Sequence, residues 1–178
     1  LISTAQSMRV NTIIAQVRRR GDAFYASSYE PWARTVGFDS LAQLIQKAHS
    51  CSPRIDVLAW FVVWPIATSS PSSDSNHPYN KYPQYLTKAE DGTVLCGSNY
   101  WFDPGHPGAA QYTCDIIMDV VNRYNVDGIN LDYIRYGGNL FGYNDVSVAR
   151  FNAANGTTGT PSHSSSAWSN WRRKQVTD

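Results

Sequence analysis

The sequence predicts an α/β fold that forms about half of a (β/α)8 barrel. Helix and strand patterns alternate in the order α-β-α-β-α-β-α, which is typical of parallel strands joined by crossover helices. Long connections follow the three predicted strands, as they do on the active face of a barrel. No glycine-rich phosphate loop follows any strand, which disfavours the alternative, an open nucleotide-binding sheet. A complete barrel needs about 250 residues. We therefore expect residues 1–178 to be one partial domain, truncated at both ends.

The first half of the chain supplies two of the predicted strands. Residues 1–10 are predicted to end a helix, and the apolar, β-branched residues 11–18 to form the first buried strand. A polar and aromatic loop covers residues 19–38. Asp39 then caps a helix whose apolar residues recur at i, i+3, i+4 and i+7. Residues 55–64 form a continuous apolar run, which predicts the second buried strand.

The second half begins with a long predicted loop, residues 65–106, because Pro65 ends the apolar run. Pro107 opens the third helix. The turn at Asp127 and Gly128 leads into the third strand, residues 129–134. Two further helices are predicted at residues 146–152 and 168–176.

The composition indicates a globular protein that suits flat ligands such as sugars. Lysine and arginine number 15 against 14 aspartates and glutamates, a net charge of +1. This balance excludes the basic surface of a nucleic-acid binder and gives no reason to expect an acidic membrane partner. No window reaches the roughly 18 apolar residues of a membrane span. Aromatic residues make up 13% of the chain, too many for a disordered one.

The cysteines and histidines predict neither a metal site nor a cofactor. Cys51, Cys96 and Cys114 show no Cys-x-x-Cys spacing, and the four histidines are scattered. One disulfide with a free thiol and three separate thiols both remain open. Ser/Thr/Pro-rich stretches and a glycosylation sequon at Asn155 favour an extracellular or periplasmic location.

The end of the third strand is the strongest candidate for chemistry. Asp132 lies there, with Tyr133 and Arg135 directly after it. A carboxylate at the C-terminal end of a buried strand is costly unless it is functional or paired. Asp132 is therefore either a working carboxylate or the partner of Arg135 or Arg18. Asp127, beside Gly128, is interpreted as a turn cap.

A second candidate carboxylate follows the first strand. Arg18 continues the alternation of that strand, so it should point into the same mouth as Asp132. Glu30 stands between Tyr29 and Pro31-Trp32, a rigid aromatic setting that would desolvate it, although an exposed loop position is the alternative. Two carboxylates facing each other across an aromatic mouth are what glycoside hydrolysis needs.

Two other segments offer possible sugar contacts. Trp60 and Trp64 are four residues apart on the second strand and should share one face, either as core or as a stacking floor for a sugar. Asp103 and His106 belong to a stiff turn before the third helix. They could reach a ligand there, or Asp103 could cap the helix.

Ordered motifs over almost the whole chain resemble the glycosyl-hydrolase-like family 10. The motifs are Gln16-Val17-Arg18, Gly21-Asp22-Ala23, Glu30-Pro31-Trp32, Asp103-Pro104-Gly105-His106-Pro107, Val126-Asp127-Gly128-Ile129, Leu131-Asp132-Tyr133-Ile134-Arg135-Tyr136 and Trp171-Arg172-Arg173. Many members have a proline where this chain has Gly137, and often a second acid where it has Tyr133. Any catalytic carboxylate on later strands cannot be identified in this sequence.

The resemblance implies a (β/α)8 barrel that hydrolyses a polysaccharide or a peptidoglycan-type glycan. It implies that Asp132 is a nucleophile or stabiliser and Glu30 its acid/base partner. The remaining implied sugar contacts are Arg18, Asp22, Trp60 and His106. A carbohydrate-binding or structural protein that keeps the barrel without turnover is the alternative. Because half a barrel leaves two strand edges open, we expect self-association or further polypeptide to cover them.

Overall fold

The structure is a computed structural model and describes residues 1–33 and 37–177. Its helices are α1 (Ile2–Ser7), α2 (Ser40–His49), α3 (Pro78–Lys81), α4 (Pro107–Arg123), α5 (Asp145–Asn155) and α6 (Ser166–Thr177), with a 3-10 turn at Pro83–Tyr85. Its strands are β1 (Thr12–Arg18), β2 (Asp56–Val62), β3 (Pro65–Thr68), β4 (Asn99–Trp101) and β5 (Gly128–Asp132). Within the described residues, no helix is both long and apolar enough to cross a membrane.

A parallel sheet of β1, β2 and β5 organises the chain. β2 lies in the middle and pairs in parallel with each of the other two strands. Each parallel strand therefore neighbours the next one along the chain. A doubly wound sheet would reverse its order at a switch point. The order observed here is the one that consecutive strands of a barrel have.

The outer face of this sheet carries the main core. Alternate residues of β2 point to that face, and Val57, Ala59 and Phe61 are buried there. Side chains of α2 and α4 cover them: Leu41, Ile45, Ala48, Ala109, Tyr112, Ile116 and Val120. The predicted helix periodicity thus places its apolar stripe against the sheet.

The opposite face of the sheet is only half covered. Ile14 on β1 is 53% exposed, and its register neighbour Leu58 on β2 is half-buried. In the described part of the chain, β1 and β5 each pair with another strand of the parallel sheet on one side only. Parallel sheets normally have both faces buried, because their strands are apolar on both sides. This chain therefore presents surface that a closed barrel would cover.

The helix termini are fixed by side chains. Asp39 caps α2, as predicted, because its Oδ1 accepts hydrogen bonds from the backbone amides of Leu41 and Ala42. His106 caps α4 by accepting from the Gly108 amide, and Pro107 occupies the first turn. The predicted loop 19–38 includes residues 34–36, which lie outside the described residues.

The prediction that residues 65–106 form a loop was wrong. Pro65 is the first residue of β3, and β3 pairs with β4 in an antiparallel two-stranded ribbon. Proline is tolerated at the first residue of a strand, where no ladder donor is lost. Strands of three or four residues carry too little alternation to be distinguished from a loop in the sequence.

All three cysteines are free thiols.

Asp103 fastens this excursion of residues 63–106 to α5. Its fully buried carboxylate accepts hydrogen bonds from donors far apart in the sequence: the hydroxyls of Thr87 and Ser147 and the amides of Gly105 and Asn144. Burial raises the pKa of Asp103 and the four donors lower it, and the effect of burial is the larger, so the pKa lies above its usual value. These hydrogen bonds join the excursion to the start of α5 and so to the rest of the domain.

Asp127 does more than cap a turn. Its carboxylate accepts from the backbone amide of Val57 at 2.7 Å, so it joins the first residues of β2 to the segment that precedes β5. Arg54 also donates to it, and His49 Nε2 lies 2.7 Å from its Oδ2. Burial raises the pKa of Asp127, but the Val57, Arg54 and His49 contacts outweigh burial and lower the pKa to about 2.

We expect the Asp127 contacts to stabilise the fold at neutral pH and to be lost in acid. The folded-state pKa lies below the ordinary value of 3.8, so the stabilisation is complete above about pH 4 and disappears as the pH falls towards 2. Asp127→Asn should flatten this part of the pH dependence in urea unfolding measured from pH 5 to pH 2. Asp115→Asn, at an exposed Gln111 contact on α4, serves as the control and should keep it. An unchanged slope in Asp127→Asn would show that other groups cause the acid sensitivity.

Candidate functional site

The C-terminal ends of β1, β2 and β5 meet at one edge of the parallel sheet. Asp132, the last residue of β5, stands in register with Val62 of β2. The Val63 amide donates to the Asp132 carbonyl at 2.9 Å, and Arg18 Nη1 donates to the Val62 carbonyl at 2.5 Å. The strand ends predicted to carry the chemistry are therefore neighbours, as parallel pairing requires.

The Asp132 side chain is held by neutral donors. Trp60 Nε1 donates to its Oδ2 at 3.2 Å, and the Tyr133 amide donates to its Oδ1 at 2.8 Å. The ion pair considered as an alternative, with Arg18 or Arg135, is not formed. Asp132 is half-buried, two hydrogen bonds orient its carboxylate, and no cation among the described residues forms an ion pair with it.

Tyr133 and Arg135, which follow Asp132, pack against Trp101 of β4, and these three residues are here called the rim. Tyr133 has a φ of 56°, which ends β5 and turns the ring outward; 41% of the residue is exposed. Its ring lies 5.7 Å from that of Trp101. The Arg135 guanidinium stands 5.1 Å and 5.4 Å from the Tyr133 and Trp101 ring centres. Trp101 is only 4% exposed, so the accessible surface of the rim beside Asp132 comes from Tyr133 and Arg135, with Trp101 buried against them.

Trp60 is flanked by amide side chains on the half-covered face of the sheet. Gln16 of β1 and Asn130 of β5 are its register partners, and all three are half-buried. Register partners in a sheet project to the same face. Trp60 therefore has a hydrogen-bonding side chain on each side. This row of three residues precedes the Asp132 row on the same face of the sheet.

The expectation that Trp60 and Trp64 share a face was wrong. Trp64 is 7% exposed and belongs to the main core, whereas Trp60 contacts Asp132 on the other face. The strand β2 ends at Val62, so the two-residue alternation does not continue to Trp64. Of the two tryptophans, only Trp60 is placed to contact a ligand at this edge.

Glu30 lies inside the protein and is paired with Arg18. Its carboxylate accepts from Arg18 Nε at 3.0 Å and Nη2 at 2.9 Å, and from the Tyr112 hydroxyl at 3.2 Å. The side chains of Arg18 and Glu30 are 2% and 0% exposed. A sugar has no access to this carboxylate. The geometry fits an ion pair that fixes the loop after β1, not an acid that meets a substrate.

Arg18 links the Glu30 loop to the strand ends. Its Nη1 donates to the carbonyls of Val62 and Val63, at 2.5 Å and 2.7 Å. Burial lowers the pKa of Arg18, but the Glu30 carboxylate outweighs burial and raises that pKa above its usual value. Burial, followed by the charge of Glu30, likewise raises the pKa of the Tyr112 hydroxyl. Arg18 does reach the predicted mouth, but with its charge already neutralised.

The other predicted sugar contacts have structural partners. The buried Asp103 carboxylate accepts four hydrogen bonds. His106 is 9% exposed, and its Nδ1 accepts the hydrogen bond from Gly108 that caps α4. Burial, partly offset by Asp103, lowers the pKa of His106. Asp22 accepts from the Arg20 amide at 3.1 Å and lines a cavity of about 310 Å³ with Trp32 and others. These residues shape the loops around the strand ends rather than the Asp132 surface.

Trp101 was missed as a site residue. It lies on β4, in the segment predicted to be a loop, and reaches the site only because the ribbon folds back over the strand ends. The aromatic pair Tyr100-Trp101 just before Asp103 was the available signal. Gly137 allows the chain to pass over Trp101, since a Cβ there would stand 2.8 Å from Cys96 Sγ and 2.9 Å from the indole.

The chain has clear relatives among known proteins. The family described as Glycosyl hydrolase-like 10 matches residues 1–178. Glycosyl hydrolase YngK of Bacillus subtilis (strain 168) is 27% identical over 190 residues, which cover 99% of this chain and 34% of the relative. Glycosyl hydrolase DigH of Escherichia coli (strain K12) is 27% identical over 143 residues, covering 71% of this chain and 31% of the relative. The chain spans about a third of the length of these curated relatives.

A solved structure supports the predicted architecture. Alpha-L-fucosidase isoenzyme 2 from Paenibacillus thiaminolyticus superposes with a TM-score of 0.69 at 20% identity, over 98% of this chain and 25% of that one. This likeness bears on the fold alone. The prediction of an α/β fold that forms part of a (β/α)8 barrel is confirmed.

Proposed function

This chain belongs to the glycosyl hydrolase-like 10 family, and we propose on that basis that it is part of the catalytic barrel of a glycoside hydrolase. The observation that carries the proposal is the Asp132 carboxylate. It stands at the C-terminal end of a parallel strand, the catalytic end of a barrel, oriented by Trp60 and bordered by the exposed ring of Tyr133. Trp60 and Tyr133 both lie outside the buried hydrophobic core, so neither is needed to hold that core together.

Asp132 suits the role of nucleophile or stabiliser. Both of its oxygens already accept hydrogen bonds, so it is poorly placed to donate a proton. A carboxylate of this kind attacks the anomeric carbon, or stabilises the positive charge that develops there while water attacks. The exposed Tyr133 ring would stack against the sugar, while the amides of Gln16 and Asn130 bind its hydroxyl groups.

The acid that protonates the leaving oxygen is proposed to come from a part of the protein beyond residues 1–178. Glu30 is enclosed with Arg18, and within the described residues no second carboxylate is hydrogen-bonded to the Asp132, Trp60 and Tyr133 group. The further strands of a barrel would bring side chains to the same edge. They would also cover the open sides of β1 and β5, and self-association of the chain is the other way to do so.

The substrate we propose is a polysaccharide or peptidoglycan-type glycan outside the cytoplasm. The Ser/Thr/Pro-rich segments favour an extracellular or periplasmic protein. A second candidate function is carbohydrate binding without turnover. It is favoured because the described residues bring one accessible carboxylate, Asp132, to the site, whereas hydrolysis requires a pair.

Trp60→Phe tests whether the oriented carboxylate works in catalysis. The substitution keeps an aromatic ring but removes the Nε1 donor to Asp132. One hydrogen bond of about 1.4 kcal/mol that matters in the transition state corresponds to about a tenfold loss of kcat. We expect that loss in reducing-end release from glycans by the whole protein, with KM nearly unchanged.

Trp32→Phe is the matched control, because Trp32 is 40% exposed and lies on the separate 310 Å³ cavity. It should leave kcat unchanged. Glycan binding in calorimetry without any release of reducing ends, for the unaltered protein, would favour the binding function over the hydrolase.

A further inference from the structure

Three arginines converge on one cavity behind the rim. Arg135, Arg172 and Arg173 line a space of about 370 Å³ between the segment that follows β5 and helix α6, together with Asn139 and Ser169. We call it the arginine cavity. Arg135 comes from the loop and the other two from neighbouring positions on α6, so separate parts of the chain bring their charges together.

Arg172 is the buried member of the group. Only 7% of the residue is exposed, and its Nη1 donates to the carbonyls of Asn139, at 2.8 Å, and of Phe141. Its guanidinium stands 5.6 Å from the ring centres of both Tyr136 and Trp168. Its Nε is also buried and has no hydrogen-bond partner among the residues that the structure describes. Arg172 is thus fixed in place by neutral groups.

No carboxylate balances these charges within residues 1–33 and 37–177. None of the three arginines forms an ion pair there: Arg173 donates to the Asn170 side chain and Arg135 to the Tyr136 carbonyl. The buried Asp103 carboxylate attracts Arg172 at longer range but forms no hydrogen bond or ion pair with it. Burial, and to a smaller extent Arg173, lowers the pKa of Arg172. A buried cation without an anionic partner is costly to maintain.

We propose that the arginine cavity binds an oxyanion, namely a carboxylate, sulfate or phosphate group. Guanidinium groups bind such anions through paired, charge-assisted hydrogen bonds. The contacts of Arg172 with Asn139 and Phe141 fasten the loop after β5 to α6, but they do not account for a second cation at Arg173, which repels Arg172. Arg135 belongs to both the rim and the cavity. An anionic substituent of a sugar lying on the rim would therefore reach the cavity, as would a free anion.

Anion binding is measured directly and does not depend on hydrolysis. The chain is titrated by calorimetry at low salt with inorganic sulfate, with inorganic phosphate, and with glucuronate against glucose. We expect binding of the anions that weakens as sodium chloride is added. Arg173→Gln, at an exposed position, should weaken it roughly threefold to tenfold. Arg9→Gln, an exposed arginine outside the cavity, should leave it unchanged.

The arms separate the two sources of the anion. Glucuronate binding more tightly than glucose, with the difference lost in Arg173→Gln, identifies an anionic group carried on a sugar. Sulfate or phosphate binding that is sensitive to Arg173 while glucuronate and glucose bind alike identifies a free anion. Failure of every anion to bind, or equal binding by the parent and Arg173→Gln, refutes the proposal. The hydrolase proposal is tested separately on the whole protein: anion binding without any release of reducing ends by that protein would leave the cavity established and the hydrolase proposal in error.

Discussion

Asp132→Asn is expected to reduce glycan hydrolysis by the whole protein about 10²- to 10⁴-fold, the range typical of lost carboxylate catalysis. The amide has nearly the same shape, its oxygen can still accept from either Trp60 Nε1 or the Tyr133 amide, and the site lies outside the core, so the fold should not change. It has no negative charge with which to attack or stabilise the anomeric carbon. The measurement is kcat for reducing-end release, alongside thermal unfolding of the same samples.

Asp145→Asn is the control for this substitution. The Asp145 side chain is 90% exposed and contacts only Lys88 at the surface, so both kcat and the unfolding temperature should stay at the parent values. Full activity in Asp132→Asn would remove Asp132 from the mechanism. Loss of activity accompanied by unfolding would instead assign it a structural role.

Arg18→Met is expected to lower the free energy of unfolding by about 3–5 kcal/mol. It leaves the Glu30 carboxylate buried without its cation and removes the donor to the Val62 and Val63 carbonyls. The neighbouring substitution Arg19→Met is the control. The Arg19 side chain is 49% exposed, and its ion pair with Asp22 spans 3.5 Å, so about 0.5 kcal/mol or less should be lost. Urea unfolding of the two variants provides the comparison.

Glu30→Gln distinguishes the two roles considered for Glu30. A residue of the ion pair should lose stability on substitution, and the loss should not add to that of Arg18→Met in the double variant, because the two side chains share one interaction. An acid/base catalyst would lose hydrolysis while the protein remained as stable as the parent. Equal stability of Glu30→Gln and the parent would contradict the structural role.

The parallel sheet could be predicted from the sequence because β1 and β2 lie within long, largely apolar runs. Residues 11–18 and 55–64 bracket β1 and β2, and the Asp39 cap locates the start of α2. The ribbon of β3 and β4 could not be predicted, because its strands have four and three residues and are held by pairing across the chain. Local patterns carry little information about such long-range contacts.

The site could be predicted only where strand geometry fixes it. Asp132 was found because the end of a parallel strand is a definite place. Glu30 was interpreted as accessible because its aromatic neighbours are visible in the sequence, whereas its pairing with Arg18 and Tyr112 depends on tertiary packing. Trp64 was placed on the wrong face because the sequence does not show where β2 stops.

Asp103 has a consequence for how the domain assembles. Its partners Asn144 and Ser147 lie 41 and 44 residues away in sequence, so the network that fastens the excursion closes large loops. Such contacts are slow to form because chain entropy must be lost before they stabilise anything. The contact between Val57 and Asp127, which joins β2 to the segment before β5, spans 70 residues, so the parallel sheet depends on long-range closure as well. We therefore expect the sheet and the Asp103 network to form late and together, in one slow cooperative step.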